Sequence, residues 1–173
     1  MCRFHFLPYL CHKILQMYQI LDKFWSSSFC LGLIEWAESQ CFTAFSPKPL
    51  WEQGSDNIIV FEDQKLADLI FAKIKEKLPQ ENSYGRLMGS DDYLRLFRFD
   101  SGLHFFNPVD FLRSSKEQIF YRVVIMLNRK SELTDLNLKA EAGNAILTSN
   151  PFPILLNNSA NFYLLMADIT YRK

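Results

Sequence analysis

Histidine, cysteine and carboxylate side chains are the groups of this 173-residue chain that could hold a metal or move protons, and their placement is lopsided. All four cysteines, Cys2, Cys11, Cys30 and Cys41, precede residue 42, and the three histidines are His5, His12 and His104. Cys2, His5, Cys11 and His12 present the donor atoms that zinc takes. Their spacing matches no common zinc site, and adjacent Cys-His ligands converge poorly on one ion, so an untidy N-terminal arm is the plainer reading. Cys30 and Cys41 are expected on one helix, roughly 16 Å apart along its axis, too far for a disulfide. No histidine follows His104, so residues 105–173 supply no imidazole. Of the later carboxylates, Asp110 reads as a turn or cap residue. Asp168 stands in an apolar run, where a hydrogen-bonded structural role fits.

The elements that must position these groups follow from composition and periodicity. Acids and bases balance at 19 each, which leaves no basic footprint for nucleic acid or an anionic membrane. Hydrophobic residues make up 49% of the chain, enough for a real core and too many for disorder. No apolar run approaches the ~20 residues of a membrane span. Residues 1–19 lack an uninterrupted apolar stretch and a small-residue cleavage site, so they read as an arm rather than a signal peptide. A soluble intracellular protein is the default expectation.

Residues 14–24 predict an entry strand around Tyr18 to Leu21. Ser26, Ser27 and Ser28 then offer N-caps for a helix over 28–40. Phe29, Leu33, Trp36 and Ala37 recur at helical spacing on it, with Glu35 and Glu38 left for solvent. Residues 46–56 read as a loop, and Asn57 to Phe61 as a short β-prone run. A second helix over 64–78 is clearer, because Leu66, Ile70, Ile74 and Leu78 fall at i, i+4 spacing with Leu69 beside them and Pro79 stops them. Residues 80–92 read as a polar loop. From Tyr93 onward the runs 93–99, 119–127, 144–149, 153–158 and 161–171 are β-rich with turn residues between them. Helices first and short strands after predict an α+β domain over 20–173, with helices buttressing an antiparallel sandwich or barrel.

The order of these segments is specific. LDKFWSSSFCLGLIEWAES (21–39) resembles the opening of the prolyl 4-hydroxylase-like domain of the iron- and 2-oxoglutarate-dependent dioxygenases. LADLIFAKIKEKLP (66–79) resembles that family's support helix, and LRLFRFDSGLHFFNPVDF (94–111) its "lR-x-YRY-x-x-G-x-x-F-x-x-H-x-D" stretch. VVIMLN (123–128), AGNAIL (142–147) and NFYLLMADITYRK (161–173) are similar to its later strands, the last to a closing "G-x-K/R-Y-v-l-x-x-D-i-x-Y". The resemblance implies a double-stranded β-helix, a jelly-roll-like barrel with supporting N-terminal helices. In the family the barrel mouth holds Fe(II) by two histidines and a carboxylate, with open positions for 2-oxoglutarate and O₂.

Carried over position by position, the family's H-x-D falls on Pro108 and Asp110. The carboxylate is kept, and the first imidazole has become a residue with no donor atom. The second histidine falls on Phe152, and the basic residue that pairs with 2-oxoglutarate falls on Phe162. No His, Lys or Arg occurs anywhere in 145–162. The Gly-Gly-x-Thr segment usual after the Y-L-N strand is replaced by a shorter polar stretch, 131–139. His104 is the one imidazole left that could stand in for a lost ligand. Phe152 and Phe162 read as core filling where metal and co-substrate would sit. The expectation is a degenerate, non-catalytic domain without a cofactor, acting if at all as a binding or regulatory domain for a protein partner. Against it stand an active oxygenase with a rebuilt Fe(II) and 2-oxoglutarate site, and a decayed product with no role.

Overall fold

The computed structural model describes residues 18–44, 57–82, 85–106, 118–128, 131–133, 138–149, 154–158 and 160–172. Two helices come early: α1 spans Ser27–Glu38 and α2 spans Gln64–Ile74, the latter continuing as a 3₁₀ turn over Lys75–Lys77. Ser26 caps α1, its Oγ accepting from Phe29 N at 3.2 Å, and Asp63 caps α2, its Oδ1 accepting from Leu66 N at 3.0 Å. The expected helices over 28–40 and 64–78 are therefore present, and each is shorter at its C-terminal end. Cys41 falls beyond α1, so it does not share that helix with Cys30, and both thiols are free. No described helix is long and apolar enough to cross a membrane.

The strands are β1 (Tyr18–Leu21), β2 (Thr43–Ala44), β3 (Asn57–Glu62), β4 (Glu81–Asn82), β5 (Gly85–Ser90), β6 (Tyr93–Phe99), β7 (Gly102–Phe106), β8 (Gln118–Met126), β9 (Ser131–Leu133), β10 (Leu138–Ala140), β11 (Ala145–Thr148), β12 (Ile154–Asn158) and β13 (Phe162–Arg172). They form two antiparallel sheets. The larger runs β1-β11-β8-β13-β6-β3-β2, with β5 and β4 attached beside the far end of β13, and the smaller runs β10-β9-β12-β7. From β6 onward the chain crosses between sheets repeatedly: β6, β8, β11 and β13 lie in the larger, and β7, β9, β10 and β12 in the smaller. That alternation is the expected double-stranded β-helix.

One expectation about the strands fails. Residues 80–92 are not a loop, because β4 and β5 lie within them. GRLMGS has weak strand propensity by itself. β13 is eleven residues long, and β6 pairs only its first half, Phe162 to Met166. The free edge beyond it recruits β5, with Ile169 opposite Ser90 and Arg172 opposite Arg86. The polar stretch 131–139 holds β9 and opens β10, which pair with Leu133 opposite Leu138.

One face of the larger sheet packs on the helices. Leu66, Ile70 and Ile74 of α2 join Cys30 and Ala37 of α1, Leu94 and Leu96 of β6, Val123 and Ile125 of β8, and the odd-numbered residues Tyr163 to Tyr171 of β13. The face of α1 is not the expected one. Cys30 and Ala37 are buried, while Phe29 and Trp36 are 39% and 37% exposed. Leu69 of α2 is also exposed. A turn closes the β1 end of the core: Trp25 N donates to Gly143 O at 3.0 Å and Gly143 N to Met126 O at 2.8 Å. Gly143 has φ +83, and a Cβ there would stand 2.1 Å from Trp25 O, so the close approach needs glycine.

Candidate functional site on the inner face of the large sheet

The face of the larger sheet turned away from the helices is equally buried. Directly paired residues on neighbouring strands project to the same side. Phe162 pairs with Phe99, Leu164 with Phe97 and Met126, Met166 with Arg95 and Val124, and Asp168 with Arg122. Ile146 and Thr148 continue these rows opposite Val124 and Arg122. Asp168 therefore shares its face with Phe162, Leu164 and Met166, as its strand parity predicts. Among the described residues the remaining layer is the four-stranded sheet, which a sheet buried on both faces requires.

This inner face divides along the strands. Toward the start of β13 it is apolar: Phe162, Leu164, Phe97, Phe99, Met126 and Ile146 are all buried, and Phe97 and Phe99 stack at 6.1 Å between centroids. Toward the far end it is polar. Arg95, Arg122, Thr148 and Asp168 make up four of the five buried polar residues among those described, the fifth being Thr170. Arg95 Nη1 donates to Asp168 Oδ2 at 2.8 Å, and Arg122 Nε donates to Asp168 Oδ1 at 2.6 Å. The side chains of Arg95, Arg122 and Asp168 are 4%, 3% and 0% exposed. Both bonds are charge-assisted and short.

The helix-facing side carries a second polar connection. Tyr163 OH donates to Glu38 Oε1 at 2.7 Å, and Arg98 Nη1 donates to the same oxygen at 3.3 Å while its guanidinium lies 4.5 Å from the Phe42 ring centre. Glu38, read from the sequence as a solvent residue, thus ties α1 to β6 and β13. Burial, with the Glu38 hydrogen bond and charge adding to it, pushes the Tyr163 hydroxyl up to about 12. Burial, with Tyr121 adding to it, pushes Tyr171 up to about 12 as well. Burial also pushes the Cys30 thiol up, away from the thiolate that reactivity needs.

The site residues named from the sequence fare unevenly. Phe162 opens β13, is 1% exposed, and lies in the apolar half of the inner face opposite Phe99. Pro108, Asp110 and Phe152 lie outside the described residues, as do Cys2, His5, Cys11 and His12. His104 sits in β7 of the smaller sheet, paired with Leu156 of β12. No group of three His, Cys, Asp or Glu side chains comes together among the described residues. What the sequence reading missed is Arg95 and Arg122. The signal was present, since each interrupts an otherwise apolar strand, LRLFRF and YRVVIM, as Asp168 does in LLMADIT. Long cations in such runs need a buried partner.

No family model matches the sequence, and neither does any curated protein. Solved structures do match the fold. The viral collagen prolyl hydroxylase of Paramecium bursaria Chlorella virus-1, in its 2OG complex, is 15% identical with a TM-score of 0.55, over 91% of this chain and 97% of that one. A Pseudomonas putida prolyl-4-hydroxylase is 12% identical with a TM-score of 0.61, over 90% and 93% of the two chains. HygX from Streptomyces hygroscopicus, with nickel, 2-oxoglutarate and hygromycin B bound, is 9% identical with a TM-score of 0.53, over 95% and 87%. The chain therefore has the fold on which these prolyl hydroxylases and HygX are built.

Proposed function

We propose that this chain is a degenerate 2-oxoglutarate- and Fe(II)-dioxygenase-like domain that does not catalyse hydroxylation and serves as a binding or regulatory domain for a protein partner. Phe162 carries the reading. Resemblance to the family implies a lysine or arginine there, to pair with a carboxylate of 2-oxoglutarate. The side chain present is apolar, 1% exposed, and set beside Phe99 and Leu164 in a row without charge. A carboxylate desolvated against that surface would have no donor to replace its lost water. The described residues at this end do not fit the co-substrate. The substitutions at Pro108 and Phe152 argue the same way for the metal, because a lone Asp110 carboxylate falls short of the three protein ligands of such a site.

The test is iron content and succinate formation by the purified protein, beside an Asp110→Ala control. Sub-stoichiometric iron and no succinate above that control are expected. Stoichiometric iron with Asp110-dependent turnover would overturn the reading in favour of an oxygenase with a rebuilt site. Pro108→His alone should rescue little. Pro108→His, Phe152→His and Phe162→Lys together restore the ligand set, though replacing two aromatics costs several kcal/mol if both are buried, at ~3–5 kcal/mol for each Phe truncation.

A further inference from the structure

We infer that α1 is a self-association surface: two copies of this chain pair through antiparallel α1 helices, about a two-fold axis that passes between Gly32 and Leu33. The inference holds whether or not the domain is catalytic, since α1 packs on the side of the larger sheet away from the inner face.

Three observations carry it. The first is an apolar stripe left open. Phe29, Gly32, Leu33 and Trp36 stand at i, i+3, i+4 and i+7, so they share one flank of the helix. Phe29 and Trp36 keep 39% and 37% of their surface exposed. Each is braced by a second aromatic, Phe29 by Trp25 at 4.8 Å and Trp36 by Phe61 at 4.7 Å between ring centroids. Aromatics held in this way lose little freedom when a partner covers them. The second observation is Gly32. Glycine weakens a helix interior. Among the described residues nothing requires it there, because a Cβ would meet no atom within 4 Å. The bare position lies between the two aromatics, where it lets another helix come close.

The third observation is charge. α1 has no acid in its first turn and no base in its last. Its carboxylates, Glu35 and Glu38, stand at the C-terminal end, the negative pole of the helix dipole. Taken alone, the helix carries its charge the wrong way round. An antiparallel second copy offsets this by bringing each Glu35 toward the positive first turn of the other helix. A parallel pair would set carboxylate beside carboxylate.

The stripe also matches itself. α1 spans Ser27–Glu38, so an axis between Gly32 and Leu33 bisects it. Phe29 of one copy then faces Trp36 of the other, and Leu33 faces the gap at Gly32. Each contact occurs twice, as an isologous interface requires. One surface thus supplies both the knob and the hole, which selects a second copy of this chain as the occupant.

The experiment is sedimentation equilibrium of the full chain from about 5 to about 200 µM, a span suited to the weak dimer that one helix pair would give. Expected is a reversible monomer–dimer equilibrium. Gly32→Gln, which puts a good helix former where the domain has room, should weaken association about tenfold or more. The same variant should unfold in urea no earlier than the natural sequence under monomeric conditions, which separates a lost contact from a lost fold. Leu31→Gln, on the opposite flank, should leave association unchanged. Phe29→Lys and Trp36→Glu chains should each associate poorly alone and recover when mixed. The antiparallel register then sets the two new charges against each other at one end and the natural Phe29 and Trp36 at the other. A chain that stays monomeric at the highest concentration, as when another segment of the same chain lies over α1, would overturn the inference. So would a dimer that Gly32→Gln leaves intact, or mixed variants that do not recover.

Discussion

Replacing Asp168 by alanine should be among the most damaging single changes in the domain. The substitution removes the acceptor for Arg95 Nη1 at 2.8 Å and for Arg122 Nε at 2.6 Å, and leaves two guanidinium groups in a place almost without solvent. Two estimates of the cost agree. Hydrogen bonds to charged groups contribute about 1.5–3 kcal/mol each, so two give about 3–6 kcal/mol. Removing one partner of a buried ion pair costs about 3–5 kcal/mol. A loss near 4 kcal/mol takes a large share of the ~5–15 kcal/mol that holds a domain together. In urea, with a slope of about 2 kcal/mol per molar, the midpoint should fall by about 2 M. The reasoning also predicts which second change repairs the damage. Arg95→Met, Arg122→Met and Asp168→Leu together remove the charges as a set, and such replacements are commonly neutral or stabilising by about 1–4 kcal/mol. The triple variant should therefore unfold at higher urea than Asp168→Ala alone. A loss below about 1 kcal/mol for Asp168→Ala, or a triple variant no more stable than the single one, would refute the account of the cluster.

Gly143→Ala should destabilise by more than the ~1 kcal/mol of a residue forced to positive φ, because its Cβ would meet Trp25 O at 2.1 Å and the turn holding Trp25 must open. A denaturation midpoint equal to that of the natural sequence would show that the turn is not closed as described. Stability should also fall at alkaline pH. Tyr163 and Tyr171 ionise near 12 when folded and near 10 when unfolded, so the stabilisation is complete below pH 10 and is lost as pH rises toward 12. At ~1.4 kcal/mol per unit each tyrosine accounts for up to about 3 kcal/mol. Urea midpoints across this range, beside tyrosinate absorbance, check it. Tyr163→Phe should flatten the decline, and a flat profile in the natural sequence would contradict the burial of both hydroxyls.

Much of the architecture was legible because strand runs and turn residues alternate from Tyr93 onward, and because α2 has one clean apolar stripe. The failures share a physical cause. α1 is apolar on most sides, so periodicity cannot choose its buried face. The structure seats the small Cys30 and Ala37 inward and leaves Phe29 and Trp36 at the surface. β5 forms because a long partner has a free edge, and no local pattern reports that. The arginines of β6 make the same point. Arg95 and Arg98 stand three residues apart on one strand, so they project to opposite faces. A strand buried on both sides reads as a continuous apolar run, and nothing local says which arginine goes where. Arg98 finds Glu38 of α1 on the helix side, and Arg95 finds Asp168 of β13 on the inner side.

That division of faces explains how a fold can be kept while a site changes. The odd-numbered residues of β13 hold α1 and α2 to the sheet, and none of them is a candidate for chemistry. The even-numbered ones, from Phe162 to Asp168, line the inner face and hold no helix. As far as the helix side is concerned, a lysine at 162, as the family resemblance implies, and the phenylalanine found there are interchangeable. Substitutions at inner positions are constrained only by what fills the space between the sheets, and at the Phe162 end an aromatic fills it without a buried charge. At the Asp168 end the constraint is stricter, because each member of the cluster is costly to lose alone. The inner face is thus free to drift at one end and locked at the other. On the non-catalytic reading proposed above, the Phe162 end has no charge to hold, and the far end is fixed by the mutual need of Arg95, Arg122 and Asp168.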